Sequence, residues 1–178
     1  YWNSFKDVRI AASLDAMGAR GELIRAGTNW DVIEENRRRM IEECPDVYFE
    51  ITPTVSIMNV YHLPDFHKEW IDKGLLEPQN VRMNILTYPT EYRIQIIPPK
   101  ERKKFIDKYT EHIKWIGDNF GDGAAKRGFE SVLDFLQQEN YENLIPDFID
   151  RNTPLDELRG ESLYQVAPEL EFFRDYEY

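Results

Sequence analysis

The sequence predicts an α/β fold, with a three-stranded parallel sheet, helices between the strands, and a mostly helical extension. Three observations predict it. Short apolar runs at residues 7–13, 47–56 and 81–86 each end in a polar corner, and amphipathic helical stretches lie between them. Strand, helix, strand, helix, strand at this spacing makes two right-handed βαβ units, hence a parallel sheet. Beyond Pro98 the strand-like runs stop and apolar residues recur at helical spacing. The expected division is therefore residues 1–97 for the α/β part and residues 98–178 for the helical extension.

The first strand, 7–13, carries Val8, Ile10, Ala11 and Ala12 with little polar alternation, which predicts burial on both faces. It breaks at Ser13-Leu14-Asp15-Ala16-Met17-Gly18, a polar, glycine-ended corner. Such corners deliver side chains to the carboxyl edge of a parallel sheet, where α/β proteins keep their chemistry. Residues 21–27 read as irregular or briefly helical. Thr28 and Asp31 form a capping box for a helix with Trp30, Ile33, Met40 and Ile41 on its apolar face, ended by Pro45. The second strand, 47–56, becomes polar towards its end at Thr52, Thr54 and Ser56.

The helix at 64–73 is predicted from Phe66, Trp70 and Ile71, with Gly74 as its cap. The third strand runs into Thr87-Tyr88-Pro89. In the extension, Phe105, Tyr109, Ile113 and Ile116 predict a helix over 98–117, and Phe129, Val132, Leu133 and Leu136 another over 124–138. The tail reads as short turns broken by Pro146, Pro154, Gly160 and Pro168, with Thr153 capping a turn that has Pro154 at its first position. A first strand apolar on both faces would leave its edge bare, so a further strand is expected upstream or on a partner. The chain starts at Tyr1 with only seven residues before Val8, and reads as part of a larger protein.

With 22 basic against 33 acidic residues, the net charge of -11 repels phosphate backbones and anionic lipid. Neither a nucleic-acid nor a membrane partner is expected. No apolar run approaches the ~18 residues of a spanning helix. Cys44 is the only cysteine, which excludes an intrachain disulfide or a thiolate cluster within these residues; it reads as an inert buried thiol suited to the cytoplasm. His62, His67 and His112 are too scattered to predict a metal site, and no metal ligands are assigned. Nucleophile-elbow, P-loop and dinucleotide fingerprints are absent, so no catalytic residue is assigned either.

Several stretches taken together resemble the radical S-adenosylmethionine (SAM) enzymes, in the branch with SPASM or twitch extensions. They are Ser13-Leu14-Asp15-Ala16-Met17-Gly18, Leu23-Ile24-Arg25-Ala26-Gly27, Trp30-Asp31-Val32-Ile33-Glu34-Glu35-Asn36, Thr54-Val55-Ser56-Ile57-Met58-Asn59, Leu63-Pro64 and Asn84-Ile85-Leu86-Thr87-Tyr88-Pro89. The tail, Leu155-Asp156-Glu157-Leu158-Arg159-Gly160-Glu161-Ser162, is loosely similar to the C-terminal region of twitch members. The resemblance implies the last three strands of a six-strand, TIM-like partial (β/α)6 barrel. It also implies a [4Fe-4S] cluster that cleaves SAM to a 5′-deoxyadenosyl radical. The family's C-x3-C-x2-C cluster motif is not in these residues, and Ala16 and Met17 stand where glycine usually follows the aspartate. The cluster ligands would then lie in a missing N-terminal half of the barrel, and the segment alone would be inactive. The substrate class stays open between a peptide and a small molecule.

The resemblance assigns SAM-side roles to Ser13, Asp15, Arg25, Thr54, Ser56, Asn59 and Tyr88. Ser13 and Asp15, two apart on a strand end, share one side and would meet the ribose or methionyl group; the other reading of Asp15 is an Asx-type cap of its own corner. Arg25 is a carboxylate clamp or a surface arginine. Thr54, Ser56 and Asn59 line the adenosine side, or Asn59 closes a loop. Tyr88 lies over the ligand or packs on Pro89. Two further readings remain: a non-catalytic interaction module that completes its sheet with a partner, and a fragment of another TIM-barrel enzyme.

Overall fold

The computed structural model describes residues 2–174 and 176. A 3-10 turn at Trp2–Ser4 precedes β1 (Arg9–Ala12). Helices α1 (Gly18–Ile24) and α2 (Trp30–Glu43) lead to β2 (Tyr48–Ile51) and, after two residues, β3 (Thr54–Val55). Helix α3 (Leu63–Asp72), β4 (Asn84–Ile85) and 3-10 turns at Thr90–Tyr92 and Ile94–Ile96 complete the first part. The remainder is α4 (Pro99–Phe120), α5 (Ala124–Leu136), a 3-10 turn at Glu142–Leu144, α6 (Ile145–Arg159), α7 (Leu163–Val166) and a 3-10 stretch at Pro168–Phe173.

The half-barrel expectation is overturned. The described residues are mostly helical, and their strands form two short two-stranded parallel sheets, β1–β2 and β3–β4. Pro53 is the physical reason. Ile51 donates its N–H to Asn80 and accepts from Arg82, and Pro53 and Val55 accept from Asn84 and Leu86. Pro53 has no N–H to return, so the ladder breaks at its middle rung. What survives is an isolated Ile51–Val81 bridge and the two-residue pairing of β3 with β4. The single strand expected over 47–56 is thereby split, and that expected over 81–86 shrinks.

β1 also departs from expectation. It pairs only with β2 among the described residues, and its residues are half-buried or exposed, none buried. The cap of α2 is Asn29, whose Oδ1 accepts the Val32 N–H at 3.0 Å. Thr28 instead donates its hydroxyl to the Arg25 carbonyl. The tail holds a 15-residue helix rather than short turns, and Pro154 lies inside it.

One hydrophobic cluster runs through both parts of the chain. Trp30, Phe49, Phe66 and Trp70 form an aromatic knot under α2 and α3, with ring centroids 5.0 to 6.4 Å apart. Tyr109, fully buried on α4, donates its hydroxyl to the Val60 carbonyl and fastens the extension to the segment after β3. Of the tail aromatics, Phe173 is buried and packs on Phe148, and Phe172 and Tyr176 are half-buried; Tyr178 lies outside the described residues. Cys44 is half-buried at the C-cap of α2, more open than the sequence suggested. No described helix is long and apolar enough to cross a membrane.

Candidate functional site

The corner after β1 is held by its own side chains. Asp15 is buried, and its two carboxylate oxygens are divided between partners. Oδ1 accepts the Thr54 N–H at 2.7 Å, and Oδ2 accepts Arg25 Nε at 2.8 Å. Arg25 Nη2 donates to Ser13 Oγ at 2.8 Å. Asp15 therefore bridges two strand ends instead of capping its own corner, because the parallel register brings the start of β3 beside the end of β1.

Asn59, fully buried, locks the other side. Its Nδ2 donates to the carbonyls of Asp15 and Thr54 at 2.8 and 3.0 Å, and its Oδ1 accepts the Ser56 N–H at 2.8 Å. Both donors and the acceptor of the amide are thus used. Ser56 Oγ accepts the Met58 N–H at 3.3 Å.

These residues border a cleft of about 280 Å3. One wall is Asp15, Thr54, Ser56 and Met58, with Leu23 and Ile24 of α1 and Leu86 beyond β4. Tyr92 and the Asn152, Leu155, Asp156 and Arg159 face of α6 make the other. Tyr92 donates its hydroxyl to Asn152 Oδ1 at 3.3 Å, and burial raises the pKa of that phenol, so it stays neutral. Arg159 Nη1 donates to the Leu23 carbonyl at 3.2 Å and draws α6 onto α1.

Of the residues expected at the site, Ser13, Asp15, Arg25, Thr54, Ser56 and Asn59 come together in one bonded network. Asp15, Thr54 and Ser56 line the cleft; Arg25, itself bonded to Ser13, holds Asp15 from outside it, and buried Asn59 bonds the Asp15 carbonyl. Tyr88 does not join them: it is 84% exposed and lines no part of this cleft.

The α6 wall lies outside the expected site, because Pro154 reads in the sequence as the first position of a short turn, whereas the helix runs through it. The signal was present, since positions 152, 155, 156 and 159 follow the spacing of one helix face.

Away from the cleft, His67 and His112 meet across α3 and α4, with Nδ1 and Nε2 3.0 Å apart and His67 Nε2 2.9 Å from the Pro78 carbonyl. That carbonyl can only accept, so His67 Nε2 carries a proton, and His112 Nε2 donates to His67 Nδ1. Among the described residues no group of three or more His, Cys, Asp or Glu side chains is placed to hold a metal ion.

Compared with protein-family models, curated proteins and solved structures, the chain has no match in any of the three.

Proposed function

We propose that this chain forms part of the SAM and substrate pocket of a radical SAM enzyme. The convergence of Asp15, Thr54 and Ser56 on one cleft carries the reading. Asp15 Oδ1 accepts one bond, from the Thr54 N–H, and keeps acceptor capacity for a ribose hydroxyl, while Oδ2 is paired with Arg25 Nε and Nη2, both at 2.8 Å. Leu23, Ile24, Met58 and Leu86 offer an apolar bed for a base. Arg25 orients Asp15 in this arrangement. Small-molecule pockets start at about 300 Å3, so this cleft suits part of such a ligand and another segment would enclose the rest.

A [4Fe-4S] cluster does not fit the residues present: there is one cysteine, and no metal-holding group among the described residues. Its ligands would come from a segment beside the open edge of β1. The cytoplasm suits the sparse cysteine usage. That same open edge favours a second reading, a module that completes its sheet with a partner strand.

Equilibrium dialysis with labelled 5′-methylthioadenosine, which keeps the nucleoside and thioether of SAM without its amino-carboxylate end, tests the pocket. It is expected to bind the full chain, and Leu86→Trp, which fills the apolar bed, to weaken binding at least about tenfold, the scale of one lost side-chain contact. Absence of binding by a chain whose circular dichroism shows it folded would leave the partner-module reading.

A further inference from the structure

The cleft contains a charged pair that the SAM reading did not assign. Arg25, the cation expected to clamp the ligand's carboxylate, is committed: Nε and Nη2 bond Asp15 and Ser13, and Arg25 does not line the cleft. Arg159 does line it. Its Nη1 bonds a backbone carbonyl, its nearest carboxylate is Glu161 at 4.0 Å, and Nε and Nη2 hold no acceptor among the described residues. Three residues earlier on the same face, Asp156 uses Oδ2 to cap the Leu163 N–H at 2.7 Å and makes no ion pair among the described residues. A guanidinium and a carboxylate thus face one cleft unpaired with each other, with spare donors on one and a spare oxygen on the other.

We propose that this face of α6 binds an α-amino-carboxylate zwitterion, with Arg159 on the carboxylate and Asp156 on the ammonium. A guanidinium fork matches a carboxylate in bidentate fashion, and an ammonium beside Asp156 restores charge balance in a strongly acidic chain. The proposal rests on the pocket reading and moves the carboxylate clamp from Arg25 to Arg159. Two sources present this chemistry: the methionyl end of SAM, and a separate amino-acid ligand.

The test compares SAM, 5′-methylthioadenosine and free methionine on the full chain, wild type against Arg159→Gln and Asp156→Asn. Each variant is expected to weaken SAM and methionine about tenfold or more, the loss typical of one charge-assisted hydrogen bond, while methylthioadenosine is unchanged. Arg159→Lys, which keeps the charge, recovers part of the affinity and excludes misfolding. Methionine that competes with SAM identifies the methionyl end; methionine that binds the SAM-saturated chain with the same Arg159 dependence identifies a separate ligand.

SAM and methylthioadenosine binding that ignores both variants overturns the proposal and keeps the pocket reading. Methionine binding that needs Arg159, with no methylthioadenosine binding, does the reverse. No binding of any of the three overturns both.

Discussion

His67 and His112 show how a buried pair sets a pH limit on the fold. Burial lowers the pKa of His67 to about 4 and that of His112 to about 3, the latter helped by the charges of His67, Lys108 and Lys68. His62, whose Nε2 accepts the Met17 N–H, is lowered to about 4 by burial and then by Arg20. In the unfolded chain each ring titrates near about 6.5. Below that value the unfolded state binds more protons than the folded one, so stability is complete above pH ~6.5 and falls as the pH drops towards 4. The urea midpoint is expected to decrease steadily from pH 7 to pH 5, and less steeply in His112→Leu. Equal slopes in variant and wild type would remove His112 from this account.

At the scale of elements, the corner after β1 depends on how closely α1 approaches it. A Cβ on Gly21 would stand 2.6 Å from the Ala16 carbonyl oxygen and 3.3 Å from Trp30 Cε3. Alanine is the better helix former by about 1 kcal/mol, so an open site would gain stability from Gly21→Ala. Here the backbone contact wins, because α1 must move away from the residues that carry Asp15. The variant is expected to lose about 1–3 kcal/mol in chemical denaturation, the range for overpacking. A stabilised variant would mean that α1 can slide freely. α6 makes the complementary point. Pro154 has no N–H for the Asp150 carbonyl, yet the helix continues through it from Ile145 to Arg159. Its Asn152-to-Arg159 face reaches the cleft as one surface only because the helix continues.

Across the whole molecule, the tail is fastened to the start of the chain by a buried ion pair. Arg20 bonds both oxygens of Glu169 at 2.7 and 2.9 Å and the Val166 carbonyl at 2.7 and 3.1 Å, with little exposure of either side chain. Residues 149 positions apart are thus held together, and α7 lies against α1. Arg20→Met strands a buried carboxylate and is expected to cost about 3–5 kcal/mol in equilibrium unfolding, while Arg20→Met combined with Glu169→Met recovers much of that loss. A single-variant loss below about 1 kcal/mol would show that water reaches the pair.

The sequence alone determined most of the helices and the residues that gather at the corner. Helical periodicity and the polar ends of apolar runs are local signals, and α3, α4 and α5 lie within a few residues of where those signals put them. Ser13, Asp15, Thr54 and Ser56 were legible as polar residues at the ends of apolar runs, and the family resemblance added Arg25 and Asn59. Tertiary structure decided what those residues do. Whether Asp15 caps its own turn or bridges to Thr54 depends on the register between strands more than thirty positions apart, which no local pattern encodes. The size of the sheet was likewise undecided, since the missing N–H of Pro53 matters only once a neighbour stands opposite it. The second wall of the cleft, the histidine pair and the Arg20–Glu169 lock all join residues distant in sequence. Packing brought them together, and packing depends on every side chain at once.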